Sequence, residues 1–262
     1  MAAEPDFTIG PDDPIGTEPS QGQAEAVWQD LGWWPAPGQL AQFRALQEAL
    51  RHWNGRLNLS RLVEGNDYWI AQLLDSLWPW QPLLRQPPTA HSLIDVGTGG
   101  GFPGLALAIA LPEAHITLVD SVGRKAEAVR AMAQDLGLGH RVTVRCERVE
   151  STGRNPACRG RFDWALARAV AAAPVVAEYL LPLVRPSDGR ALLYRGQWEP
   201  GDQQALERAL RPLLGAVERV ERRELPTGRG VRHAVVLKPL AACPPAYPRP
   251  VGVPAKLPLG AA

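Results

Sequence analysis

The 262-residue chain is 45% apolar and 21% charged, an ordinary balance for a soluble globular protein, and it is long enough to bury one sizeable core. Its formal net charge is only +1, yet residues 1–38 hold seven acids and no Lys or Arg, so the remainder sets 28 basic residues (25 Arg, 3 Lys) against 20 acidic ones. No apolar run approaches the ~18–20 residues of a membrane span, and the start MAAEPDFTIG lacks a secretory pattern; Cys146, Cys158 and Cys243 contain no CxxC pair and suggest neither a disulfide framework nor a metal site, so the cytosol is the expected compartment.

Residues 1–23 are rich in Pro, Gly and acids without periodicity. They bury too little apolar surface to offset the entropy of ordering and are expected as a disordered acidic leader. A short helix is expected in AEAVWQDLGWW, before Pro35 and Pro37. Leu40, Phe43, Leu46, Leu50, Trp53 and Leu57 recur at steps of three or four and predict an amphipathic helix. A second is expected from Asp67 to Trp80, stopping near Pro79 or Pro82. Residues 24–85 therefore read as a small helical N-terminal module. Its Asp75 and Ser76 read as a structural polar pair joining the module to the rest, and its tryptophans as core.

From residue 86 to about 240 strand and helix patterns alternate. Strands are expected at His91–Val96, His115–Val119, Arg141–Cys146, Phe162–Ala167 and Arg190–Tyr194, with helices at Pro103–Leu111, Val122–Leu136, Ala173–Leu183 and Asp202–Leu213. Two more strands, Ala216–Arg222 and His233–Leu237, follow without a helix between them. This is the pattern of an α/β, doubly wound, mostly parallel seven-stranded sheet with an antiparallel edge. From Pro239 on there are seven prolines and no acid, so residues 241–262 are expected as an extended basic tail. Its Tyr247, Arg249 and Lys256 either meet phosphates or pack on the domain.

The first expected strand runs into DVGTGGGFPG, residues 95–104. Gly97, Gly99 and Gly101 permit positive φ and leave no Cβ in a ligand's way. Asp120 lies 23 residues after Gly97, at the end of the second strand, where a carboxylate accepts ribose hydroxyls in a doubly wound fold. Asp95 precedes the glycines. A carboxylate there opposes a pyrophosphate but suits the ammonium and sulfonium of S-adenosylmethionine, which favours that cofactor over NAD(P). An NAD(P)-dependent oxidoreductase shares the strand–glycine–helix signal and remains an alternative. Arg124 and Lys125 open a helix, where positive charge opposes the dipole, and so point to a ligand role. Arg148 and Arg168 follow strand C-termini, the ligand edge of an open α/β sheet.

DVGTGGGFPG, TLVDSVGRK, RVE (Arg148–Glu150) and ARAVA (Ala167–Ala171), with WNGRLNLS and LLDSL upstream and RGQ, RHAVVLK and YPRPVGVPAKLPLG downstream, carry a resemblance in order and spacing. Over residues 38–260 the chain resembles the ribosomal RNA small-subunit methyltransferase G family, also called glucose-inhibited division protein B. The resemblance implies a Rossmann-like, class I S-adenosylmethionine-dependent methyltransferase domain over residues 86–240. It also implies methyl transfer to N7 of one guanosine of 16S rRNA near the decoding site. The partner would be 16S rRNA or a small-subunit assembly intermediate, with the chain acting as a cytoplasmic monomer. A non-catalytic ribosome-assembly factor that binds the same RNA is a further alternative.

Carried over residue by residue, cofactor contacts fall on Gly97, Phe102, Val149, Glu150 and Arg168, with Asp120 on the ribose and Asp95 and Gly99 in the same turn. Substrate contacts fall on Arg124, Lys125, Arg148, Arg232 and His233. Two positions depart from the family: Gln72 replaces a common histidine, and Arg195 replaces a lysine. Guanine N7 already offers a lone pair. No obligatory general base is therefore expected, and Arg148 and Arg168 are candidates for positioning.

Overall fold

A single sheet of seven strands organises the computed structural model, which describes residues 21–260. β1 (Ser92–Val96), β2 (His115–Asp120), β3 (Val142–Cys146), β4 (Trp164–Arg168) and β5 (Arg190–Arg195) are parallel to one another. β6 (Gly215–Leu225) and β7 (Gly230–Pro239) form a hairpin, and β7 pairs antiparallel to β5. The order β3-β2-β1-β4-β5-β7-β6 reverses direction at β1. A doubly wound sheet opens its ligand crevice there, outside the strand C-termini.

The N-terminal part comprises α1 (Gln21–Leu31), α2 (Pro37–Leu57), a π-helical segment Asp67–Leu74, the one-turn α3 (Asp75–Leu77), a 3-10 turn Trp78–Trp80 and α4 (Gln81–Leu84). The crossovers are α5 (Gly104–Ala110), α6 (Gly123–Asp135), α7 (Val149–Arg154), α8 (Ala173–Leu180) and α9 (Pro200–Leu213), and α10 (Val253–Lys256) lies in the C-terminal segment. Each sheet face has its own apolar cluster. One joins Trp28, Phe43, Leu46 and Trp69 of the N-terminal helices to Leu107, Leu118 and Met132. The other joins Ile94, Ala165 and Leu193 to Val176, Leu180 and Leu210. The N-terminal helices thus serve as one cover of the sheet, and each fully buried Leu or Phe there contributes about 1.5–3 kcal/mol.

Several expectations need adjustment. The expected leader falls outside the described residues up to residue 20, while residues 21–23 already belong to α1. The expected regular helix Asp67–Trp80 is instead π-helical and then broken into short turns at Pro79 and Pro82. Tyr68 through Trp80 are all buried, so packing on every side, rather than one apolar stripe, sets the backbone path. Trp28, Trp69, Trp78 and Trp80 are core, whereas Trp34 is 61% exposed.

The segment from Pro239 onwards is laid across α7 and α8 as a strap. Arg159 donates to four carbonyls, those of Gly153, Tyr247, Cys243 and Pro244, and Arg154 Nε to that of Pro248. Buried Glu178 accepts from the Arg249 backbone N–H and its guanidinium, at 2.7–3.2 Å. Of the two readings of Arg249, packing on the domain is the one observed. The strap also contains the short α10, where Pro254 sits in the first turn and no missing N–H is felt.

Candidate active site

The glycine turn joins β1 to α5 at the point where the sheet reverses. Gly97, Gly99 and Gly101 adopt φ of +71°, +58° and +91°. A Cβ on Gly97 would lie 2.6 Å from Val170 Cγ2, so the turn needs glycine there for space as well as for torsion. The backbone N–H groups of Gly97 and Thr98 both donate to Val119 O, which fastens the turn to β2.

Asp120, at the end of β2, is buried and holds the turn from the other side. Its Oδ2 accepts from Gly99 N at 3.0 Å and its Oδ1 from Val122 N at 2.8 Å. Each carboxylate oxygen retains a further lone pair for a ligand hydroxyl.

Asp95 takes a different place from the one its charge suggested. It is fully buried and lines neither cavity beside the turn; its Oδ2 accepts from Thr98 Oγ1 at 2.8 Å and from Gly104 N at 3.0 Å. Burial pushes its carboxyl up to about 6, against the opposing pull of the Thr98 and Gly104 hydrogen bonds. The charge-to-cofactor expectation for Asp95 is therefore replaced by a structural one. A dinucleotide turn offers the N–H groups at the start of its helix to the pyrophosphate. Here Asp95 occupies the Gly104 N–H at the start of α5.

Two cavities flank this turn. The first, of about 670 Å³, is lined by Gly97, Gly99, Phe102, Asp120, Lys125, Arg168 and Arg232, with Gln72, Asp75, Tyr194 and Arg195 from neighbouring elements. The second, of about 340 Å³, is lined by Arg148, Val149, Glu150, Tyr179 and Ala255. Gly97, Asp120 and Ala169 border both, so the two are lobes of one cleft with a waist at the glycine turn.

In the second lobe Glu150 is buried, and its Oε1 accepts from Gly252 N of the strap at 2.9 Å and from Tyr179 Oη at 3.4 Å. Burial, then the nearby Glu150 carboxylate, lift the Tyr179 phenol to about 12, so it remains a donor. In the first lobe Arg168 Nη1 donates to Asp75 Oδ2 at 3.1 Å and to Gln72 O at 3.3 Å, and its Nη2 donates to Gln72 Oε1. Gln72 thus orients Arg168. Tyr194 Oη donates to Ser76 O and accepts from Trp80 Nε1, both at 2.7 Å, and burial holds its phenol well above the usual range.

Most of the residues singled out in the sequence converge here, though not all. Arg124 is exposed outside both lobes. His233 also lines neither; its Nδ1 lies 2.6 Å from Gly196 O, across from Arg195 in the β5–β7 register. Arg195 lines the first lobe and donates to Ala171 O at 2.8 Å. Sequence reading missed Thr98, Tyr194 and Ala255 as lining residues, and it read Asp75 with Ser76 as a structural polar pair.

Comparison with known proteins shows the family of the chain. The family model described as rRNA small subunit methyltransferase G matches residues 39–226. The chain is 62% identical over 234 residues to "Ribosomal RNA small subunit methyltransferase G" of Synechococcus sp. (strain RCC307), covering 89% of this chain and 98% of that one. It is 60% identical over 235 residues to the protein of the same name from Parasynechococcus marenigrum (strain WH8102), covering 90% and 94%. Among solved structures the [4+2]-cyclase SpnF aligns with a TM-score of 0.50 at 16% identity, covering 80% of this chain and 98% of that one, a likeness of fold alone. The chain belongs to the rRNA small subunit methyltransferase G family.

Proposed function

We propose that the chain transfers a methyl group from S-adenosylmethionine to N7 of a specific guanosine of 16S rRNA near the decoding site. Its substrate would be that RNA or a small-subunit assembly intermediate. Membership of a methyltransferase family implies a donor of the S-adenosylmethionine type. The observation that carries the fit is the two-lobed cleft with the Asp120 carboxylate at its waist and the α5 N–H already taken by Asp95. A phosphate-free nucleoside suits that arrangement, and a dinucleotide does not.

In this reading Asp120 accepts the ribose hydroxyls, Val149 and Glu150 border the adenine in the smaller lobe, and Gly97, Gly99 and Phe102 border the methionine part. When bound, the donor supplies an electrophilic methyl: the N7 lone pair forms the new C–N bond while the S–C pair returns to sulfur, and the positive charge passes to the purine. The protein's share is positioning and exclusion of water, because N7 carries no proton to remove. Arg168 is held rigid by Gln72 and Asp75 at the cleft wall. Lys125, Arg148 and Arg232 line the two lobes and Arg124 is exposed next to Lys125, in position to meet RNA phosphates.

The test is to incubate the purified protein with S-adenosylmethionine and small-subunit rRNA, then map modified nucleotides by mass spectrometry. One N7-methylated guanosine is expected. Tight binding of S-adenosylhomocysteine and RNA without any transfer would point to an assembly factor instead.

A further inference from the structure

Asp75 has more capacity than its structural contacts use. Its side chain is buried, with 7% exposed, and it borders the larger lobe beside Arg168. Oδ2 is satisfied by Arg168, but Oδ1 has no hydrogen-bond partner among the described residues. Arg232 Nε stands 3.5 Å from Oδ1, an ion-pair distance without a hydrogen bond. A buried carboxylate oxygen lacking a donor is costly; Oδ1 is closed to solvent, so a ligand in the lobe supplies that donor by displacing the neighbouring Arg232 side chain. Arg168 is in the complementary condition. A guanidinium carries five N–H donors; three hydrogen bonds tie Arg168 to Gln72 and Asp75, which leaves donors on Nη2 and Nε. The pair therefore presents a cationic donor next to an anionic acceptor on one wall. Asp75 enters that wall from the end of a π-helical turn, a backbone form found frequently at functional sites.

Resting on the methyl transfer proposed above, we infer that Asp75 and Arg168 read the target guanine: Arg168 donates to O6, and Asp75 Oδ1 accepts the N1–H. These two groups are adjacent on guanine, acceptor next to donor, and the opposite face of O6 leaves the N7 lone pair free. Adenine inverts both, placing an amino group against the guanidinium and a ring lone pair against the carboxylate, so it is refused by repulsion as well as by lost contacts. Uracil shares the O4/N3–H pattern but has no N7 to methylate. The same carboxylate also acts on the chemistry. N7 methylation leaves the purine cationic and its N1–H a stronger donor, so the hydrogen bond to Asp75 tightens as charge develops.

The test uses the full chain and an RNA fragment carrying guanosine, inosine or 2-aminopurine at the methylated position found by mapping. Affinity is measured in the presence of S-adenosylhomocysteine, and single-turnover methylation with the donor, for wild type and Asp75→Asn. Inosine keeps O6 and N1–H and is expected within about threefold of guanosine. 2-Aminopurine lacks both and is expected to bind wild type at least about thirtyfold more weakly. In Asp75→Asn that ratio is expected to shrink below about tenfold, because an amide can donate to the bare N1 that a carboxylate repels. An unchanged ratio in the variant overturns the inference. So does equal binding of guanosine and 2-aminopurine RNA by wild type, a measurement that stands even if the variant does not fold. Methylation with an unmoved ratio refutes base reading alone. Complete absence of N7 methylation refutes the functional reading and this inference with it.

Discussion

Single residues at the glycine turn carry charge and torsion that can be tested in isolation. Burial lifts the Asp95 carboxyl from 3.8 to about 6, so between those values the native state binds its proton more tightly than the unfolded chain does. Its contribution to stability is fully present below about pH 3.8 and is lost as pH rises through about 6. A shift of that size corresponds to something on the order of 3 kcal/mol. Asp95→Asn keeps an acceptor for Thr98 and Gly104 without the ionisation, so it should gain on wild type as pH rises from 4 to 7. Urea melts across that range check this, and a pH-independent difference between the two proteins would refute it. Gly97→Ala places a Cβ on a left-handed backbone, at about 1–2 kcal/mol, and against Val170. It should lower the melting temperature and weaken S-adenosylhomocysteine binding together; calorimetry that found stability reduced but affinity intact would separate turn from cleft. At this scale the sequence was informative about residue type and less so about direction. Gly97, Gly99 and Asp120 line the cleft as their pattern implied. Asp95 turned inward because a buried carboxylate two residues before the turn finds the α5 N–H closer than any ligand, and no spacing rule encodes that choice.

At the level of elements, the strap depends on an asymmetric ion pair. Glu178 is fully buried and Arg249 only partly, so removing the arginine leaves a charge with no counterpart in the core. Arg249→Ala should cost on the order of 3 kcal/mol and raise the rate of proteolysis between residues 240 and 252. A nick-resistant variant with an unchanged melt would show that Arg159 and Arg154 suffice. The strand–helix alternation was legible because buried parallel strands and amphipathic crossovers each have a distinct period. α7 escaped because six residues are too few to show one. The π-helical turn escaped for the opposite reason: YWIAQLL, Tyr68–Leu74, is buried all round, so its apolar spacing fits any helix. The wall formed by Gln72, Asp75, Arg168 and Arg232 was out of reach of local patterns, because sheet topology alone brings Arg168 to Asp75, 93 positions away, and to Gln72, 96 positions away.

Over the whole molecule, charge is unevenly spread, with 28 basic against 20 acidic residues beyond residue 38. Arg124, Lys125 and Arg148 take part in no salt bridge among the described residues, so they are available to phosphates. RNA affinity should fall with log salt at a slope of about −2 to −3. Replacing the three by alanine should flatten that slope by about 2, measured by fluorescence anisotropy; an unchanged slope would move the RNA path elsewhere. The strap is also the last part of the site to be made. Gly252 and Ala255 complete the outer side of the smaller lobe, and they are synthesised after every strand of the sheet. A nascent chain with its sheet already folded therefore still lacks that wall, and the smaller lobe is finished only when the strap leaves the ribosome and docks.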